Sequence, residues 1–249
     1  MGESSRGVEV IFEDEQLIGL VKPAGLPTAN APPGVETAYT WLRRRLGQGA
    51  FVGIVSRLDA PVSGVLVVAK TPAAAADLAG QFRDRTVGKE YAAVVEGRFP
   101  AALGRWVDWH DEIDRRADER RSTIRRPGPK DDLDDDAEAD APERGEGGGR
   151  AAHVRARVVR RAGEVSLVEL EPSTGRRHQL RLQLAARGCP IVGDRAYGAR
   201  LPHPQGIALH ARRLRLTHPR TGAAILLEAD WPACWRGRFP PLFRPDHVR

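Results

Sequence analysis

The passage from Ile54 to Lys70 constrains this chain more than any other. Ser63-Gly64-Val65-Leu66-Val67-Val68-Ala69 is a run of small and β-branched apolar residues, and it predicts a buried strand. Just ahead of it, Pro61 and Gly64 bend the chain, and Asp59 stands two residues after Arg57. The result is a carboxylate at the mouth of a core strand. A loop aspartate ordinarily makes a local turn bond, and this segment alone asks for nothing more.

A chain of 249 residues with 41% apolar content is long enough to bury a substantial core. Its two cysteines, Cys189 and Cys234, form neither a disulfide framework nor a zinc-ligand pattern, which points to a reducing compartment. Residues 1 to 7 have no apolar core of the kind a signal peptide needs, and no run approaches a membrane span, so a soluble, cytoplasmic protein is expected. The formal charge of +6 is unevenly spread: residues 131 to 149 hold nine acids and one base. Without them the chain has 38 basic and 24 acidic residues, a net of +14. Such a cationic body favours a polyanionic partner, although arginine-rich composition alone also raises the isoelectric point.

Two short strands are expected at Val8 to Phe12 and Leu17 to Val21, followed by the loop Lys22-Pro23-Ala24-Gly25-Leu26-Pro27, where Lys22 could reach a phosphate. Thr37 caps a helix through Leu46 that Gly47 ends, and Thr71-Pro72 opens a second with Leu78 and Phe82 on one face. Lys89 to Gly97 reads as a strand with Tyr91 near its start, and Trp106 and Trp109 follow in an irregular region. Residues 127 to 149, rich in Asp, Pro and Gly, read as an acidic flexible insertion. Strands return at Ala151 to Val159 and Glu164 to Glu171. A helix from about Arg177 to Arg187 places His178, Arg181 and Ala185 on one face. Arg181 lies among leucines and needs an anionic partner, for which Asp59 is the candidate. Ile207 to Ala211, Leu214 to Thr217 and Ala224 to Glu228 read as closing strands, and the proline-rich tail from Trp231 is expected on the surface.

No metal-ligand cluster, phosphate-cradling glycine loop, dinucleotide fingerprint or nucleophilic serine elbow is present. A carboxylate, an arginine and a tyrosine in a cationic body remain. A carboxylate paired to arginine stays ionised and suits nucleophile or base chemistry.

Arg57-Leu58-Asp59 with Ser63-Gly64, then Lys89-Glu90-Tyr91, then Thr174-Gly175-Arg176 with His178-Gln179-Leu180-Arg181, then Pro190 to Asp194 with Tyr197-Gly198, then Leu209-His210-Ala211 with His218-Pro219 occur in one order. In that order they resemble the RluA-type family of RNA pseudouridine synthases, over roughly residues 8 to 232, and Lys22 to Leu26 resembles the family's N-terminal loop. The resemblance implies an α+β (mixed α/β) fold: one catalytic domain over 1 to 249 with a long, mostly antiparallel sheet, flanking helices and a central cleft. A separate N-terminal RNA-binding domain, of the kind many ribosomal-RNA-modifying relatives carry, is not expected. Asp59 would attack the ribose C1′ or take the C2′ proton, Tyr91 would stack on the detached uracil, and Arg181 would hold Asp59 ionised. Arg57 would brace the space left by the flipped uridine. Lys22, Arg176, Arg177, His178 and Gln179 complete the expected RNA contacts. No metal or cofactor is called for; the expected partner is a tRNA or rRNA uridine, and the enzyme is expected to be a monomer. Ser56, Val62, Arg177 and Gln183 depart from the family pattern and bear on target choice. An inactive RNA-binding descendant of the family is the alternative.

Overall fold

The computed structural model describes residues 7–114, 123–125 and 149–243. The acidic insertion, apart from Gly149, therefore lies outside the described residues. In chain order the elements are β1 (Glu9–Glu13), β2 (Leu17–Lys22), α1 (Ala38–Leu46), β3 (Gly53–Ile54), β4 (Ser63–Ala69), α2 (Pro72–Arg83) and β5 (Gly88–Glu96). They continue as β6 (Val107–Asp114), β7 (Thr123–Arg125), β8 (Arg150–Ala162), β9 (Val165–Pro172), α3 (Gln179–Ala185), β10 (Leu209–Thr217), β11 (Ala224–Glu228) and α4 (Ala233–Arg238). The chain forms two compact units, one from residues up to Tyr91 with His203–Pro232, the other from Ala92–Pro202 with the C-terminal segment.

In the first unit the strands run β1-β2-β4-β10, with β3 on β4 and β11 on β10. β1–β2, β2–β4, β3–β4 and β10–β11 pair antiparallel, and β4 pairs with β10 in parallel. The uninterrupted apolar run of β4 follows from burial on both faces. Val65, Val67 and Ala69 pack with Ala74 and Leu78 of α2, whereas Leu66 and Val68 pack with Ala38 and Leu42 of α1. Both helices begin where the sequence says: Thr37 and Thr71 accept from the backbone N–H groups of Thr40 and Ala74, and Pro72 takes the first turn of α2. At the start of β4, Gly64 has φ 120° and lies so close to β10 that a Cβ would overlap the Ala211 carbonyl.

In the second unit the order β9-β8-β6-β7 is antiparallel throughout. The helix α3 is buried from Gln179 to Leu184, where Leu180, Leu182 and Leu184 alternate with the polar Gln179, Arg181 and Gln183.

Three expectations need correction. Trp106 precedes the first strand residue, but Trp109 does not lie in an irregular region: β6 points Val107, Trp109, Asp111 and Ile113 to one face, and Asp111 interrupts an otherwise plain alternation. Asp111 is affordable there because Gln183 donates to it at 2.8 Å and Arg187 pairs with it at 3.0 Å. The tail is not a surface strap, since α4 buries Trp235, and Phe239 and Leu242 follow it into the interior. Finally, α3 starts at Gln179 rather than Arg177, because His178 is left-handed (φ 56°). His178 therefore leaves the helical face it was expected to share with Arg181.

Candidate active site

Asp59 lies within the loop between β3 and β4, where the Val62 N–H donates to the Asp59 carbonyl at 3.0 Å and closes a tight turn. Thr28 clamps the residue before it from both sides: the Thr28 hydroxyl donates to the Leu58 carbonyl at 2.8 Å, and the Leu58 N–H donates to Thr28 Oγ1 at 3.1 Å. The carboxylate is thus carried on a loop whose backbone bonds are satisfied. Beside it in the same unit is Tyr91 of β5. Burial, and next the Asp59 carboxylate, push the Tyr91 hydroxyl up to about 12.

Lys22 is not available to RNA. It is 0% exposed, and Nζ donates to the carbonyls of Val62 at 2.6 Å, Leu26 at 2.7 Å and Pro23 at 3.0 Å, with Ala60 at 3.4 Å. Every neighbour is an acceptor, so the nitrogen staples the N-terminal loop to the Asp59 turn. Burial pushes its pKa down to about 7, and the Asp59 carboxylate opposes the shift. The sequence suggests a phosphate ligand at Lys22 because its buried setting arises only when Leu26 and Val62 meet across the fold.

Next to Gly64, Ser63 Oγ lies 2.7 Å from His210 Nδ1 across the parallel β4–β10 pair. Burial first, and the Arg212 charge second, push His210 down to about 3, so its ring is neutral at physiological pH. This polar tie joins the Leu209-His210-Ala211 motif to Ser63-Gly64.

In the second unit Arg181 is buried on α3, and its partner there is one the sequence reading did not name. Its Nε and Nη2 donate to the two carboxylate oxygens of Asp194 at 2.7 and 2.9 Å. The Tyr197 ring lies 4.8 Å below the guanidinium, and the Tyr197 hydroxyl is 2.7 Å from His178 Nδ1. Gly193-Asp194 and Tyr197-Gly198 thereby acquire a function as the cradle of Arg181. The signal was in the sequence as an aspartate three residues before a tyrosine, but nothing in it said which arginine they face.

Gln179 is also removed from the RNA-facing set. Its Oε1 accepts from Thr174 Oγ1 at 2.8 Å and from the Arg176 N–H at 3.0 Å, while its Nε2 donates to the His153 carbonyl at 3.0 Å. It is a buried brace for the loop before α3. Arg57 and Arg177 are exposed, and Arg176 is partly so, with Nε donating to the Ala151 carbonyl.

The fold and these residues define an α+β protein built to hold a carboxylate beside a neutral tyrosine, and a cradled arginine on its own helix. The model of a family described as RNA pseudouridylate synthase matches residues 16–186. Over 243 residues the chain is 35% identical to the tRNA pseudouridine synthase C of Yersinia pestis, covering 92% of this chain and 89% of that protein. It is 32% identical to the ribosomal large subunit pseudouridine synthase D of Zymomonas mobilis, covering 90% of this chain and 69% of that one. Human RNA pseudouridylate synthase domain containing 4 has the same fold, with a TM-score of 0.71 at 24% identity over 94% of this chain and 92% of that one. The chain belongs to the RNA pseudouridylate synthase family, and it is an isomerase acting on RNA.

Proposed function

We propose that this chain converts a uridine of transfer or ribosomal RNA to pseudouridine, with Asp59 acting on the ribose, Tyr91 stacked on the uracil and Arg181 keeping the carboxylate ionised. The observation that carries this reading is the closeness of Tyr91 to Asp59, whose carboxylate, second to burial, opposes ionisation of the Tyr91 hydroxyl. A neutral phenol ring beside the carboxylate offers a flat, uncharged face to a base. In the reaction the C1′–N1 bond breaks and a C1′–C5 bond forms. The C5 proton is lost and N1 gains one, so the balance requires no oxidant or reductant. Asp59 serves either at C1′ or at the C2′ proton. The target uridine must leave the stack to reach it, and the exposed Arg57 two residues away is suited to fill the gap. Arg176, Arg177 and His178 lie before α3 and supply phosphate contacts. The reading includes a cytoplasmic monomer, which sedimentation equilibrium and fractionation check.

The test uses RNA from cells lacking this protein, incubated with the purified chain, with pseudouridine mapped by a chemical adduct. Wild type is expected to modify one or a few uridines, and Asp59→Ala none. Product from Asp59→Ala, or RNA bound by wild type with no product on any RNA, would sink the proposal.

A further inference from the structure

A cavity of about 460 Å³ lies alongside the Asp59 loop in the first unit, walled by Asn30, Tyr39, Ile54, Val55, Ser56 and Arg57 among others. None of the residues lining it is acidic. We propose that this cavity is a second base-binding site, which receives the nucleobase of a nucleotide adjacent to the target uridine and so selects the RNA. The inference rests on the reading of Asp59 given above.

Its chemistry fits an unstacked base better than other small molecules. Ile54 and Val55 give an apolar wall, and Tyr39 gives an aromatic face with a hydroxyl. The Asn30 amide carries both donors and an acceptor, and the Ser56 hydroxyl can do either, which is what the Watson–Crick edge of a base requires. Arg57 is exposed at the rim, where it can meet the phosphate joining the two nucleotides. Three residue steps separate Ser56 from Asp59, so the backbone path between them is at most about 11 Å. That reach restricts the occupant to a near neighbour of the uridine acted on by Asp59.

The walls are also tied to each other before any RNA arrives. Thr28, 3% exposed, bonds both backbone groups of Leu58, and its own carbonyl accepts from the Tyr39 N–H at 3.0 Å. The Ala38 N–H donates to the Pro27 carbonyl at 2.9 Å. One loop thus fixes the start of α1 and the Asp59 loop together, and a base bound between them would be registered against the carboxylate. Asn30 takes a left-handed backbone (φ 55°), which asparagine tolerates and which aims its amide from a turn rather than from a strand.

Two measurements on the full chain test this. In the first, the ¹⁵N-labelled protein is titrated with each of the four nucleoside 5′-monophosphates and with ribose 5-phosphate, and the amide resonances of Asn30, Tyr39 and Ser56 are followed. At least one nucleotide is expected to shift them saturably in the millimolar range, with ribose 5-phosphate inert, and Tyr39→Ala is expected to weaken binding fivefold or more. Equal shifts from ribose 5-phosphate would reduce the site to a phosphate contact, and no shifts at all would remove it. In the second, a short stem-loop carrying the mapped uridine is compared with copies abasic at each neighbouring position. Wild type is expected to lose at least tenfold in kcat/KM, through KM, at one position. Asn30→Gly, which keeps the left-handed backbone, is expected to erase that preference, and a preference unchanged in this variant overturns the proposal. Nucleotide binding with no product on any RNA would defeat the enzyme reading and leave the base site standing. Product without nucleotide binding or position dependence would defeat the base site alone.

Discussion

Lys22 and Arg181 are both buried basic residues, and each is held differently. Lys22→Met leaves three close carbonyl oxygens without their donor, and a loss of about 2 to 4 kcal/mol is expected in urea unfolding. The wild-type stability should also depend on pH through this residue. Its proton is held less tightly in the folded chain (about 7) than at the ordinary 10.5, so the unfolded state binds more protons between those values. Stability attributable to Lys22 therefore rises as pH climbs from about 7 toward 10.5, and Lys22→Met should lack that rise. A pH-independent difference between the two proteins would mean that the carbonyl cage offsets the burial. For Arg181 the counterpart test is Asp194→Asn. It leaves a buried guanidinium without its bidentate carboxylate and is expected to cost about 3 to 5 kcal/mol. Turnover should fall in molecules that remain folded, measured by single-turnover kinetics well below the new unfolding midpoint.

Among the elements, the starts of α1 and α2 were legible to the residue, because a threonine cap is local chemistry. Thr37→Ala removes a capping box in which Thr37 and Thr40 exchange hydrogen bonds, and about 1 kcal/mol should be lost in chemical denaturation with unchanged RNA specificity. Gly64→Ala acts on a different scale. The new Cβ would meet the Ala211 backbone where β4 and β10 pair, and the protein is expected to be recovered unfolded or aggregated. A soluble, native-like circular dichroism spectrum from that variant would contradict the close approach. The elements misread from sequence share one cause. In β6 an aspartate occupies an inward position, in α3 a histidine breaks the first turn, and in the tail prolines hide a buried tryptophan. The two polar exceptions are satisfied by partners elsewhere in the chain: Asp111 by Gln183 and Arg187, His178 by Tyr197.

For the whole molecule the dominant quantity is charge. Phosphate contacts imply that RNA affinity falls linearly on a logarithmic salt scale, and a filter-binding series from low to moderate salt checks this. Replacing residues 131 to 149 by an uncharged linker of equal length raises the formal charge from +6 to +14. Nonspecific RNA affinity should then increase at low salt, with the gain shrinking as ionic strength rises. An unchanged affinity would show that the acidic stretch is too far from the RNA path to be felt.

The sequence by itself determined the family, the α+β class, the helix caps, and the catalytic candidates Asp59, Tyr91 and Arg181, because ordered motifs and local backbone chemistry survive without knowledge of the fold. Tertiary structure alone decided which charges are buried and what holds them. Lys22 became a staple rather than a phosphate ligand, Gln179 a brace rather than an RNA contact, and Asp194 the partner of Arg181. The reason is that desolvation belongs to a three-dimensional neighbourhood: a residue's type states what it can donate or accept, and only the surrounding chain states whether water is there to answer instead.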